Sequence, residues 1–136
     1  MIMCDSDNER LVMRFFLTLS KGDLEGVRAL LHDDACWSAQ VRDVPGAGAH
    51  RGKDEIVDKF LAPVRGLFVA GDPKLQINTM GSKGAFVFAE TRGVGRLADG
   101  RTYDNRYAWA IELSGNKILE IREYMDSHYV MKLLGS

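Results

Sequence analysis

The chain is predicted to fold as one α+β domain, helices in its first half and an antiparallel meander in its second. Three observations carry this reading. Apolar residues recur at helical spacing up to about Leu61. From Leu75 onward, runs rich in β-branched and aromatic residues follow one another, each bounded by turn residues. The chain has 136 residues, 46% hydrophobic and 27% charged, which suits a single domain (1–136) with its own core and no need of a staple.

Leu11, Phe15, Phe16 and Leu19 define the first helix, with Ser6 or Asp7 as its N-cap. Lys21-Gly22 ends it, and Asp23 caps a shorter helix bearing Leu24, Val27, Leu30 and Leu31. Asp33-Asp34 breaks the pattern ahead of a strand from Ala35 to Val41, and Pro45-Gly46-Ala47-Gly48 reads as a loop. A third helix follows Gly52, burying Ile56, Phe60 and Leu61, and Pro63 is expected to end it. Four strands are expected after that: Leu75–Met80, Ala85–Leu97, Thr102–Leu113 and Lys117–Asp126. Asp99-Gly100 and Ser114-Gly115-Asn116 supply hairpin turns, and His128 to Leu134 reads as a last helical turn.

Charge and cysteine content exclude several classes. Lys plus Arg number 18 against 19 Asp plus Glu, net −1, with no basic run, which argues against a nucleic-acid partner. No apolar run approaches the roughly 18 residues that span a bilayer, and Met1-Ile2-Met3-Cys4-Asp5 lacks the features of a secretory signal. Cys4, in a segment expected to fray, and Cys36, read as a small buried hydrophobe, have no metal spacing between them. His32, His50 and His128 are scattered, so neither a metal nor a cofactor is expected, and the setting reads as cytoplasmic.

Several local motifs stand in a particular order. Lys21-Gly22-Asp23-Leu24-Glu25-Gly26 joins two helices and runs into Leu31-His32-Asp33-Asp34-Ala35; His50-Arg51-Gly52 precedes a helix; Gly115-Asn116-Lys117-Ile118 leads to Arg122-Glu123-Tyr124. This order resembles the SnoaL-like and ketosteroid-isomerase-related proteins of the nuclear-transport-factor-2-like superfamily, over about residues 8 to 134. The resemblance implies a curved antiparallel sheet forming a conical barrel around a pocket closed by three helices, and homodimers formed through the outer sheet face. It leaves function open, because the fold hosts isomerases, cyclases, hydrolases, dehydratases and binding modules.

Compared with particular relatives, the catalytic sets are incomplete. The Asp–Arg–Asp triad of limonene-epoxide-hydrolase-like enzymes falls on Arg92, Glu90 and Glu123, with acid and base exchanged at the first two. Their water-holding tyrosine and asparagine fall on Trp37 and Ala39. The ketosteroid isomerase base falls on Ala39, and its oxyanion-hole pair on Phe15 and Trp109. These departures argue against both activities. SnoaL-type cyclases carry an acid/base aspartate at the position of Glu123, which keeps a carboxylate, while their histidine falls on Trp109.

Strand parity offers a reading independent of any family. Centring the hairpins on Asp99-Gly100 and Gly115 pairs 92 with 107, 90 with 109, 107 with 123 and 109 with 121. Phe86, Phe88, Glu90 and Arg92 then share a face with Tyr107, Trp109 and Ile111, and with Leu119, Ile121 and Glu123. An ionised group on an apolar face must be paired or line a wet cavity. Arg92 is accordingly expected between Glu90 and Glu123, leaving one carboxylate with a raised pKa as acid or base. The same trio reads equally well as a charge network that fixes register, or as part of an interface.

Tyr107 would donate a hydrogen bond, Asn105 would face the rim, and Trp37, Trp109, Phe15 and Phe88 would shape the ligand or simply fill the core. The expected function is cofactor-independent proton transfer on a small hydrophobic molecule: isomerisation, cyclisation or dehydration. Its alternatives are a non-catalytic ligand-binding domain and a dimerisation module.

Overall fold

The computed structural model describes residues 6–134. Ser6 is extended, and its hydroxyl accepts the Glu9 amide at 3.1 Å, which starts α1, Asp7–Ser20. Asp23 does the same for α2, Leu24–Leu30, accepting from the Gly26 amide at 2.9 Å. The chain passes directly into β1, Leu31–Ala39, and then β2, Gly48–Arg51. The sequence pattern gives no sign of β2: it is four residues long and is held by pairing with β1, Trp37 opposite His50.

The third helix, α3, begins as a π-helical stretch, Glu55–Leu61, and continues as α-helix through Ala62–Arg65. Pro63 does not end it, because it falls in the opening turn of the α-helical part, where an amide is dispensable. Then come β3, Lys74–Lys83, β4, Phe86–Arg96, β5, Thr102–Ser114, β6, Lys117–Met125, and α4, Ser127–Leu134. Among the described residues no helix is long and apolar enough to cross a membrane.

The six strands form one curved sheet in the order β2-β1-β6-β5-β4-β3. The α+β class is as expected, but the sheet stays open, with β2 and β3 as edges, and β1 joins β6 in parallel. The helices cover the concave face. Phe15, Phe16 and Leu19 of α1, Val27 of α2, and Ile56, Phe60 and Leu61 of α3 meet Trp37, Trp109, Ile111 and Ile121 of the sheet in the main core. A smaller core of Val44, Phe68, Leu97, Tyr103 and Val130 seats α4.

The expected β4–β5 register is overturned. Arg96 pairs with Thr102, so the connection holds Leu97 to Arg101, an odd number of residues. The Leu97 amide donates to the Arg101 carbonyl at 2.8 Å, and Leu97 is buried in the smaller core. An odd loop changes parity: Thr91, and not Arg92, faces Tyr107. Val87, Ala89, Thr91 and Gly93 therefore point inward, while Phe88 and Glu90 are exposed and Phe86 and Arg92 lie half-buried on the outer face. Volume explains the choice. Ala89 stands opposite Trp109, and a Cβ on Gly93 would lie 3.0 Å from Tyr107 Cε1, so β4 offers its small residues where β5 presents an indole and a phenol.

The β5–β6 pairing also differs from expectation, by two residues: Trp109 lies opposite Glu123. A shift of two preserves the faces, so Tyr107, Trp109, Ile121 and Glu123 remain inside.

Trp109 Nε1 donates to Thr91 Oγ1 at 2.9 Å, both residues being buried. Thr91→Val keeps the shape and removes the acceptor. The expected outcome is a loss of about 1–3 kcal/mol, read as a lower urea midpoint with an unchanged m value, whereas Thr91→Ser retains most of the stability.

Candidate functional site

Between the concave sheet and helices α3 and α4 lies a partly open cavity of about 90 Å³. Trp37, Phe60, Arg65, Tyr107, Trp109 and Glu123 are among the side chains that line it. An apolar cavity of roughly 150 Å³ accommodates benzene, so this one holds only a few heavy atoms.

Glu123 supplies the acid. It is 8% exposed, on the inward face of β6, opposite Trp109 on one side and Ala39 on the other. Trp37, two residues before Ala39 on β1, points to the same face, and its Nε1 donates to Glu123 Oε1 at 3.0 Å. Among the described residues no cation pairs with this carboxylate. Burial pushes its pKa up to about 7, against the opposing pull of the indole hydrogen bond.

Three residues of β5 form a hydrogen-bonded chain. Tyr103, Asn105 and Tyr107 alternate onto the inner face. Asn105 Oδ1 accepts the Arg106 amide at 2.8 Å, while its Nδ2 donates to Tyr103 Oη at 3.1 Å and to the Asp126 carbonyl at 3.4 Å. The Tyr103 and Tyr107 hydroxyls share a short hydrogen bond in which either oxygen can donate. Tyr107 lines the cavity. Burial raises the pKa of both phenols, so both are protonated at neutral pH.

Arg65, at the end of α3, is the cavity's basic group. Its Nη2 reaches the Pro73 carbonyl at 3.5 Å, a long contact. Burial lowers its pKa and the charge of Asp72 opposes this, though Asp72 Oδ2 is itself engaged by the Arg96 amide at 2.9 Å.

The structure thus brings together four of the expected residues, Trp37, Tyr107, Trp109 and Glu123, and separates the others. Arg92 does not lie between Glu90 and Glu123. It faces outward and makes a two-pronged ion pair with Asp104, Nε to Oδ1 at 2.8 Å and Nη2 to Oδ2 at 2.6 Å, with both side chains 41% exposed. Glu90 and Phe88 lie on the same outer face. Glu123 is therefore raised by burial alone and not by competition for an arginine.

Phe15 belongs to the core, with ring centroids 5.6 Å from Trp37 and 6.4 Å from Trp109. Asn105 points inward as expected, but it stands behind the tyrosines. His50 stacks on Phe60 with centroids 4.1 Å apart, and His32 Nδ1 accepts the Asp34 amide. Cys36 is a buried thiol. Cys4 lies outside the described residues.

Two lining or supporting residues escape the sequence reading. Tyr103 shares its parity with Tyr107, which is the signal that finds it. Arg65 has none: a lone basic residue after Pro63-Val64 reads as a solvated helix end.

The SnoaL-like domain family matches residues 12–121. Among solved structures, TerC, crystallised with polyporic acid, superposes with a TM-score of 0.83 at 19% identity, over 96% of this chain and 100% of that one. A nuclear-transport-factor-2-like protein of unknown function from Burkholderia pseudomallei gives 0.84 at 17% identity, over 96% and 99%. A candidate SnoaL-like polyketide cyclase from Jannaschia gives 0.79 at 16% identity, over 99% of each chain. At these identities the likeness is one of fold. No curated protein matches the sequence.

The indole bond to Glu123 favours the ionised carboxylate. Trp37→Phe keeps a ring in place and deletes the donor, and the expected outcome is a Glu123 midpoint about one pH unit higher, followed by NMR of the side-chain carboxyl carbon.

Proposed function

The chain belongs to the SnoaL-like domain family, and from that premise we propose a cofactor-independent enzyme that moves a proton on a small, mostly apolar molecule. The reaction is of the isomerase, cyclase or dehydratase type. One observation carries the reading: Glu123 is an isolated carboxyl in an apolar cavity with a pKa of about 7, so its acid and base forms are both populated at neutral pH. Tyr107 completes the pair. Its phenol lines the same cavity, where a donated hydrogen bond stabilises a group that gains negative charge as Glu123 withdraws a proton, and the bond to Tyr103 holds the ring in place. Trp37 and Trp109 confine the substrate and exclude water. Glu90 and Arg92 have no part in this reading, since they lie across the sheet.

A non-catalytic binding module is the second reading, favoured by a volume of only about 90 Å³. Glu123→Gln separates the two, because it removes turnover under the first reading and leaves ligand affinity near its original level under the second. For quaternary structure we propose a homodimer through the outer sheet face. Phe88, 47% exposed, and Tyr124, 44% exposed, flank Ala108 and Ala110 there. The setting we propose is the cytoplasm, in keeping with the free Cys36 thiol.

Titration of Glu123 by carbon-detected NMR is expected to give a midpoint near 7; a midpoint near the ordinary value of about 4.3 overturns the acid/base role. Stability carries the same information. A carboxyl raised in the folded state contributes fully below pH 4.5, and this contribution is lost as pH rises through about 7. Urea unfolding should show a decline of about 3 kcal/mol between roughly pH 4.5 and pH 8, absent in Glu123→Gln. Light scattering is expected to report a dimer for the parent chain and a monomer for Phe88→Arg.

A further inference from the structure

Three of the arginines withdrawn from solvent have carboxylate partners. Arg28 is bound by Glu25, Asp54 and Asp58, Arg92 by Asp104, and Arg122 by Glu120. Arg65 is half-buried as well, yet among the described residues no carboxylate lies within ion-pair distance of it. A guanidinium carries five N–H donors in a planar fork, and the single protein acceptor here is the Pro73 carbonyl at 3.5 Å. Withdrawing a charge from water without a partner is costly, and an anion brought by a ligand would offset that cost.

Position makes the anion part of the substrate. Arg65 and Glu123 line one cavity, the first from the helical wall and the second from the sheet. They do not neutralise each other: the forces acting on Glu123 are burial and the Trp37 bond, and the charge acting on Arg65 is that of Asp72. The guanidinium is also seated. The α1–α2 turn packs beside it at Gly22, whose φ of +74° suits glycine and where a Cβ would lie in ordinary contact with Arg65 Nη2, at 3.6 Å. The rest of the lining is mainly apolar and includes Leu19, Leu61, Val64 and Leu75.

We propose that Arg65 is the recognition site for a carboxylate, and that the substrates of this cavity are small organic acids whose short apolar body enters toward Glu123. The assignment rests on the acid/base reading for its catalytic meaning, but the binding step stands on Arg65 alone. A planar carboxylate accepts two parallel bonds from the guanidinium fork, which a neutral amide of equal size cannot match. A cavity of about 90 Å³ suits a body of a few carbons.

The test uses butanoate and butanamide as probes, with affinities read from NMR shift titrations near pH 6, where Glu123 is mainly protonated. Butanoate is expected to bind about tenfold or more tightly than butanamide. In Arg65→Met the preference disappears while butanamide affinity stays within about threefold, and Arg65→Lys keeps part of it. Equal affinities in the parent chain, or binding of neither probe, overturn the assignment without recourse to any variant. Glu123→Gln keeps the preference for butanoate, so a failure of the acid/base reading is seen in the Glu123 titration and not here.

Discussion

A single indole N–H facing a single buried carboxylate is the constraint on which the site depends. Trp37 and Glu123 come from strands far apart in sequence, joined because β1 lies parallel to β6 in the middle of the sheet. The indole can donate one bond and accept none, so it steadies the carboxylate without titrating and without supplying charge. Among the described residues no arginine or lysine pairs with it, so burial outweighs the indole bond and raises its pKa. A salt bridge there would hold the carboxylate ionised far below neutrality and remove its capacity to exchange protons.

Packing around that pair follows from size. Phe15 and Phe16 from α1 and Phe60 from α3 fill the concave face beside two indoles. The strand next to Trp109 and Tyr107 must then be thin, and Ala89, Thr91 and Gly93 meet that need. The larger Phe86 and Phe88 are displaced outward, where they stack on one another with centroids 6.2 Å apart. The apolar outer patch and the compact inner cavity are therefore two consequences of one packing requirement. The buried threonine serves it as well, being small enough to fit and polar enough to satisfy the Trp109 N–H.

The polar groups of the cavity occupy separate walls. Glu123 lies on the sheet beside the Trp37 indole, and Tyr107 stands at the end of a hydrogen-bonded chain from Asn105 through Tyr103. Arg65 stands on the helical wall, seated against a glycine turn. Among SnoaL-like proteins the fold is a shared container, and it is the choice and spacing of such groups that determine the chemistry.

Much of this molecule was legible before any coordinates. Apolar spacing marked α1, α2 and the buried face of α3, and the caps at Ser6 and Asp23 follow from side chains acting within one turn. Alternation along β5 and β6 placed Tyr107, Trp109, Asn105 and Glu123 inside, because the error in that hairpin was an even one. The face of β4 was not legible. Its sequence carries apolar residues in both phases, and parity turned on whether the connection from Leu97 to Arg101 counts as odd, which the burial of Leu97 against a distant core settles. The short β2, the passage of α3 through Pro63 and the seat of Arg65 share that origin. By itself the sequence determined every helix and every strand but β2, and the inward set Asn105, Tyr107, Trp109, Ile121 and Glu123, since these depend on local periodicity. Leu119, read as inward, gives way to the buried Ile118 at the irregularity near the hairpin. Only the tertiary structure decided which charges share a cavity, since that depends on loop length and on the volume left over by aromatic rings arriving from remote parts of the chain.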